Sequence, residues 1–356
     1  MLFNKSIAIL FILSFISFNL QAQEEEDDFE DFDPSMFEEA GSSLKAFCTN
    51  KVLGQSPAQL ISFGLDYHGP ATLTTPPNGN FAEEEAEWQQ ASGFRFNSNV
   101  PILSKNNILI NWSLNYVQFG FTSANDVNYQ NPLNATIDNY SLKWFNTNFT
   151  LFKPLNETRF LLAQIGFELN GDYDFGNMPS LENTRLPAAL IYGFKPNESL
   201  MWGAGISHTY LGGARNLLPV IYYYKTFKNE KWGIEALFPA RIQARYRMNS
   251  RNLLLMGYYV EGASYRLSNF DQYEGASNIT TEPVELRRSE IRAGLTYSRG
   301  LNDFIWISGQ AGYRINYSFE LDEGEFYRGF DSSNYLQENT LSNTWYLQFT
   351  LSLVSP

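Results

Sequence analysis

Residues 240–248 read Ala-Arg-Ile-Gln-Ala-Arg-Tyr-Arg-Met. Successive side chains of an extended chain point to opposite sides. Ala240, Ile242, Ala244, Tyr246 and Met248 therefore form an apolar face, and Arg241, Gln243, Arg245 and Arg247 a cationic one. A soluble sheet would bury the apolar face and leave the arginines to water. A barrel crossing a membrane would turn the apolar face to lipid and the arginines to a polar lumen. The rest of the chain separates the two.

Near the N-terminus Lys5 precedes an apolar run over residues 7–18, followed by Asn-Leu-Gln-Ala-Gln ending at Gln23. That run is short of the about 20 residues a spanning helix needs. Its layout is that of a secretory signal peptide over residues 1–22, cut after Ala22, although Leu20 is larger than the ideal residue three positions before the cut. No later stretch approaches a spanning helix, so any crossing of a bilayer must use strands. Cys48 is the one cysteine, which excludes an internal disulfide and a zinc site built on several thiolates; it reads as an ordinary small residue. Net charge is -13, but residues 24–39 alone hold ten carboxylates and no basic residue. Removing Lys5 with the signal peptide gives -14, and removing this run leaves -4 for residues 40–356. A body so near balance lacks the basic face that phosphates need, which argues against a nucleic-acid partner. Residues 23–57 form an acidic leader whose like charges resist packing, so disorder is its default and a plug the alternative. Aromatics at 16% are high for a soluble domain and suit a barrel with Trp and Tyr girdles at both interfaces.

From Ala58 onward the chain breaks into alternating segments of about ten residues. Fourteen are placed at 59–67, 88–102, 108–121, 139–152, 161–170, 188–194, 201–210, 217–227, 232–237, 240–248, 253–265, 286–298, 304–319 and 345–354. The fifth is among the clearest, setting Leu161, Ala163, Ile165, Phe167 and Leu169 against Gln164, Gly166, Glu168 and Asn170. The fourth is less regular, since Trp144 and Phe145 fall on opposite faces, and Pro219 would cost the eighth a ladder hydrogen bond. Over 186–227 a twelve-strand alternative stays open.

The connections carry more weight. Every even segment is followed by a tight link, at 104–107, 153–157, 195–199, 228–231, 249–252 and 299–303, whereas long polar links over 68–87, 122–138, 171–186, 266–285 and 320–343 follow odd ones. Short turns at one end and long loops at the other are the rhythm of a single-chain membrane barrel. Three turns repeat one plan: Phe152-Lys153-Pro154-Leu155-Asn156-Glu157, Phe194-Lys195-Pro196-Asn197-Glu198 and Phe227-Lys228-Asn229-Glu230. Trp88, Trp202, Trp232 and Trp345 fall near segment ends on the apolar face, which places them in the girdles.

With the apolar face outward, parity assigns Arg95, Glu168, Glu235, Arg241, Gln243, Arg245, Glu261, Arg288, Glu290, Arg292, Gln310 and Arg314 to the lumen. Glu235 and Arg241 share a face only if the link between their strands holds an odd number of residues. A three-residue link, Phe238-Pro239-Ala240, pairs Leu237 with Arg241 and Glu235 with Gln243, leaving Glu235 diagonal to Arg241 and Arg245. Such a wall either selects solutes by charge, as rings of charged side chains do, or is a salt-bridged plug, since buried charges need partners. The near balance of charge favours pairing. Enzymatic readings are weak. Ser207 and His208 are adjacent and point to opposite faces of a strand, so they cannot act as nucleophile and base. His208 shares the apolar parity of Trp202 and Ile206 and reads as interfacial, and His68, at the start of a long loop beside Asp66, leaves a lipid-modifying site as a minor alternative. No catalytic group, cofactor motif or metal-ligand cluster emerges.

The signal peptide, the alternation over residues 59–354 and the short/long rhythm together resemble single-chain Gram-negative outer-membrane β-barrels. More narrowly, the chain looks like an uncharacterised family of such barrels over nearly all its mature length. The resemblance implies an all-β, antiparallel up-and-down transmembrane barrel, monomeric and located in the outer membrane. Its implied partners are membrane lipid, the barrel-assembly machinery and a small solute. Such barrels commonly end on an aromatic, whereas this chain ends Leu353-Val354-Ser355-Pro356. The leader read as a plug is similar to the N-terminal hatch of hydrophobic-substrate transporters of comparable strand number. The expected role is passage or binding of a small solute, with a structural or surface-adhesion barrel as the alternative.

Overall fold

A computed structural model describes residues 50–79, 81–123, 127–174, 184–209, 216–280, 283–323 and 335–355. The segment expected to be a signal peptide, the acidic run and Cys48 lie outside the described residues. The wall consists of β1 (Gln59–His68), β2 (Glu84–Lys105), β3 (Ile108–Ser123), β4 (Leu142–Pro154), β5 (Arg159–Gly171), β6 (Ala188–Asn197) and β7 (Leu200–Thr209). It continues through β8 (Asn216–Thr226), β9 (Trp232–Phe238), β10 (Arg241–Asn249), β11 (Asn252–Arg266), β12 (Glu285–Gly300), β13 (Ile305–Asp322) and β14 (Thr344–Val354). Each strand pairs antiparallel with the next, and β14 returns to β1 to close the ring. Closure leaves no strand edge with unpaired backbone groups, the condition for a sheet in hydrocarbon. Fourteen strands stand where twelve had been the alternative, and β8 runs through Pro219 opposite Ile206.

Alternation decides which face is which. Leu65, Ile165 and Phe349 are 62%, 60% and 55% exposed, whereas Ser62, Asp66, Arg245 and Arg314 are buried. A water-soluble sheet would show the reverse. Trp202 stacks on Phe194 and Trp232 lies against Tyr246 near the short-turn end, while Trp345 packs on Tyr67 near the long-loop end, all on the outer face.

The short turns follow one local device. Asn156, Asn197, Asn229, Asn249 and Asn302 each turn the side-chain oxygen back onto backbone N–H groups two or three residues ahead, at 2.7–3.1 Å. This is the Asx turn that asparagine forms readily. The repeated Asn in the quoted turn motifs is therefore what reverses the chain.

The wall has two heights. Strands β6–β10 run 7 to 11 residues, whereas β2, β3, β11, β12 and β13 run 15 to 22. Above the low strands, the end of β11 meets the end of β5 in a parallel contact, Arg266 beside Gly171. On the other side three short strands, Ala71–Thr75, Gln337–Glu338 and Thr340–Leu341, extend the upper tier between β2 and β13. The described parts of the long links are thus packed rather than loose. Leu73, Trp88, Phe119, Phe121, Leu133, Ile137, Phe270, Leu286 and Phe319 form a buried apolar core in this tier. It includes a helix, α1 (Pro132–Asn139), inside what the sequence reading left as a polar link. Its start signal is local: the Asn131 side chain accepts from Leu133 N at 2.9 Å, and Pro132 occupies the first turn. The Glu84 carboxylate holds that turn, accepting from the backbone N–H groups of Gln130 and Asn131 and from Asn134 Nδ2 at 2.8–3.0 Å.

Trp88 is a correction. It is not in a girdle but 2% exposed in the upper core. Opposite Ser123 and Thr122 the register slips between Trp88 and Gln90, and this β-bulge reverses the parity of everything upstream of it.

On the inner wall Gly257, Gly294 and Gly312 lie side by side across β11, β12 and β13, next to Tyr346 of β14. A Cβ at Gly294 would come 2.5 Å from the Ala311 carbonyl oxygen and 2.9 Å from Tyr346 Oη. Gly294→Val is therefore expected to abolish the compact barrel, read as loss of heat-modifiable migration on electrophoresis, while Leu295→Val on the outer face leaves it intact.

Candidate functional site

Inward parity on β12 sets Arg288, Glu290 and Arg292 in one row, two residues apart. Glu290 accepts from Arg288 Nη2 at 2.7 Å and Arg292 Nε at 2.6 Å, and Arg314 Nε of β13 lies 3.2 Å from it. From β11, Glu261 accepts from Arg95 Nη2 through both oxygens at 2.8 Å and stands 3.1 Å from Arg292. Arg95 also donates to Asp66 of β1, which lies 3.4 Å from Arg292. Four guanidinium groups and three carboxylates thus form one connected web that crosses the lumen from β2 to β11. Aromatic faces complete it: Arg288 sits 4.8 Å over Phe119, and Arg292 lies between Tyr259 and Tyr346 at 5.9 and 5.4 Å. Arg292 and Arg314 are fully buried, so these charges are held out of water and offset by the carboxylates beside them.

A second closure stands at the short-turn end. There residues 50–57, upstream of β1, fold back across the mouth. Ser56 donates through N and Oγ to Glu235 of β9 at 2.9 Å, and Arg247 of β10 donates to the carbonyls of Gly54 and Gln55 at 2.9 Å. Further along, Leu53 N donates to Glu198 O at 2.7 Å. Val52 is buried among Phe152, Phe160, Met201 and Tyr224. Burial lowers the pKa of the Lys51 ammonium, against the pull of Glu235. Glu235 also takes Arg245 at 3.0 Å, and Arg245 donates to Thr226 Oγ1 at 2.6 Å.

Three cavities open along the inner wall. One of 380 Å³ touches Arg95, Trp144, Glu168 and Glu261. One of 250 Å³ is largely apolar, against Leu162, Ile191, Val220 and Tyr222. One of 220 Å³ is lined by Arg241, Gln243 and Gln310 among hydroxyl and amide groups. Thr209 borders the first two, and Asn97 the first and third.

The residues assigned to the lumen by parity divide accordingly. Arg95, Glu261, Arg288, Glu290, Arg292 and Arg314 meet in the web, and Glu235 and Arg245 meet at the strap. Glu168 stands apart, accepting from Asn146 Nδ2 at 2.9 Å, and Gln310 donates to Tyr346 Oη at 2.7 Å. The hairpin register reads as derived, Leu237 opposite Arg241 and Glu235 opposite Gln243. Arg241, however, turns to Tyr224 Oη at 2.8 Å rather than to Glu235. One web residue was missed and one neighbour of the web misplaced. Asp66 shares the inward parity of Ser62 and Gly64, which would have found it. His68 does not begin a loop but ends β1, fully buried against Arg314 and 4.5 Å from the Phe119 ring, out of reach of any lipid headgroup.

The model of a domain of unknown function, DUF6268, matches residues 54–353, and the chain belongs to that family. It is a single-chain β-barrel of the outer-membrane type. None of the curated proteins matches it in sequence. Among solved structures it is similar to an outer-membrane channel from Pseudomonas putida F1, at 10% identity over 85% of this chain and 97% of that one, with a TM-score of 0.36. It is also similar to the P. putida toluene transporter TodX, at 9% identity over 85% and 92% with a TM-score of 0.29. A Pseudomonas aeruginosa FadL homologue is similar at 8% identity over 82% and 89%, with a TM-score of 0.32. None of these likenesses bears on what this chain carries.

Glu290→Gln would leave three buried guanidinium groups without their shared carboxylate. Breaking one partner from a buried pair costs about 3–5 kcal/mol, so denaturant unfolding of the reconstituted barrel should shift to clearly lower concentration.

Proposed function

We propose that this chain is an outer-membrane barrel that admits a small solute to its lumen and is closed at rest. The observation that carries the reading is the set of neighbouring cavities of 220, 250 and 380 Å³ along the inner wall, the smallest of which reaches from Ser56 and Pro57 of the strap to Gln310 and Gln348. A barrel serving only as a wall gains nothing from such hollows, whereas solute sites are concave and carry a few convergent polar groups. The strap is the movable closure. It is held by a handful of backbone and side-chain bonds and one buried valine, against a web of many buried ion pairs.

The web supports a second reading, a salt-bridged barrel that never conducts and serves structure or surface contact through its loop tier. Planar-bilayer recording separates the two. Val52→Asp places a charge among Phe152, Phe160 and Met201 and should expel the strap, raising conductance above that of the native chain. Silence from both proteins would favour the closed wall. In the Val52→Asp background, Arg241→Ala with Arg245→Ala should move ion preference toward cations, and an unchanged preference would count against lumenal selection by these arginines.

A further inference from the structure

Most arginines of the lumen face a carboxylate, but Arg241 differs. Its guanidinium donates once, through Nη2 to Tyr224 Oη at 2.8 Å, and among the described residues no carboxylate lies within the 4.0 Å of an ion pair. The Gln243 amide, two residues along the same face, makes no hydrogen bond among the described residues. Both border the 220 Å³ cavity, whose lining holds this one charged residue and otherwise hydroxyls, amides and a few apolar side chains. Gln310, Gln348, Ser62 and Asn97 face the same space.

We propose that this cavity is a binding site for a small hydroxylated carboxylate, a sugar-acid type of anion. The guanidinium supplies a planar pair of donors for the carboxylate, and the amides and hydroxyls supply partners for the hydroxyls. A volume of 220 Å³ is below the about 300–1,000 Å³ of sites for drug-sized ligands, which limits the occupant to a molecule of monosaccharide size. The approach has matching charge. Pro57, Trp306 and Val354 border both this cavity and an 880 Å³ vestibule at the short-turn end, where Lys51, Lys231, Arg247 and Arg251 outnumber Glu230 and Asp303. An excess of positive charge at a mouth concentrates anions there.

The assignment deepens the solute-passage reading and rests on it for the route by which the anion arrives. Equilibrium binding needs no conduction, so a failure to bind and a failure to conduct are distinguishable. The full chain, folded in detergent, is titrated calorimetrically with gluconate, glucose and chloride. Gluconate should bind at one site per barrel, with glucose weaker by at least about tenfold, the loss of one charge-assisted contact. Arg241→Gln should lower gluconate affinity by a similar factor while remaining heat-modifiable, and Lys105→Gln, exposed at the end of β2 and bordering neither the cavity nor the vestibule, should leave it unchanged. Absence of gluconate binding, equal affinity for glucose, equal affinity for chloride, or binding unaffected by Arg241→Gln would each overturn the assignment.

Discussion

The Glu290 carboxylate shared by three guanidinium groups is the constraint on which the interior turns. An arginine moved out of water into a narrow barrel is tolerable only beside opposite charge. Once β12 turns Arg288 and Arg292 inward, the chain must bring carboxylates to the same height from other strands. Glu261 on β11 and Asp66 on β1 do so, and Arg95 on β2 ties them together. The neighbouring glycines make room for the web: with Gly294 and Gly312 lacking side chains, Tyr346 lies flat against the inner wall and presents its face to Arg292. Charge pairing and local shape are therefore a single requirement.

The same barrel treats its arginines in two ways. At mid-height they are neutralised and packed under aromatic rings, as a structural core would be. On β10, Arg241 and Arg247 bond to neutral oxygens instead. A wall built only for rigidity would pair them all, so this difference is where structure and the proposed solute handling separate.

Much of the wall was legible because a strand has a period of two. A single parity choice gives the outer face, the face on which each charged residue of a strand lies and an odd length for the β9–β10 link. Parity gives the face of a residue, not its height or its partner, which is why Glu235 could be placed near two arginines without showing that Arg245 takes it. A bulge defeats parity outright, and Trp88 was misplaced for that reason. The upper tier escaped because its elements are short and its core is assembled from distant links: Leu73, Leu133, Phe270 and Leu341 carry no common period. The Asn131-Pro132 start of α1 was readable as a cap, but a helix of 8 residues gives too few turns to stand out from a loop.

The low side of the wall has a consequence for the membrane itself. Strand β9 has 7 residues, which at about 3.4 Å each and a tilt of about 40° give a height of roughly 18 Å. The apolar band of such barrels is about 25 Å tall. Lipid beside β9 must therefore thin or tilt, while lipid beside the longer β12 and β13 need not, and such mismatch has a modest cost for every ångström. The barrel thus deforms its bilayer on one flank only. Uneven strand length thus gives the wall a preferred direction in the plane of the membrane.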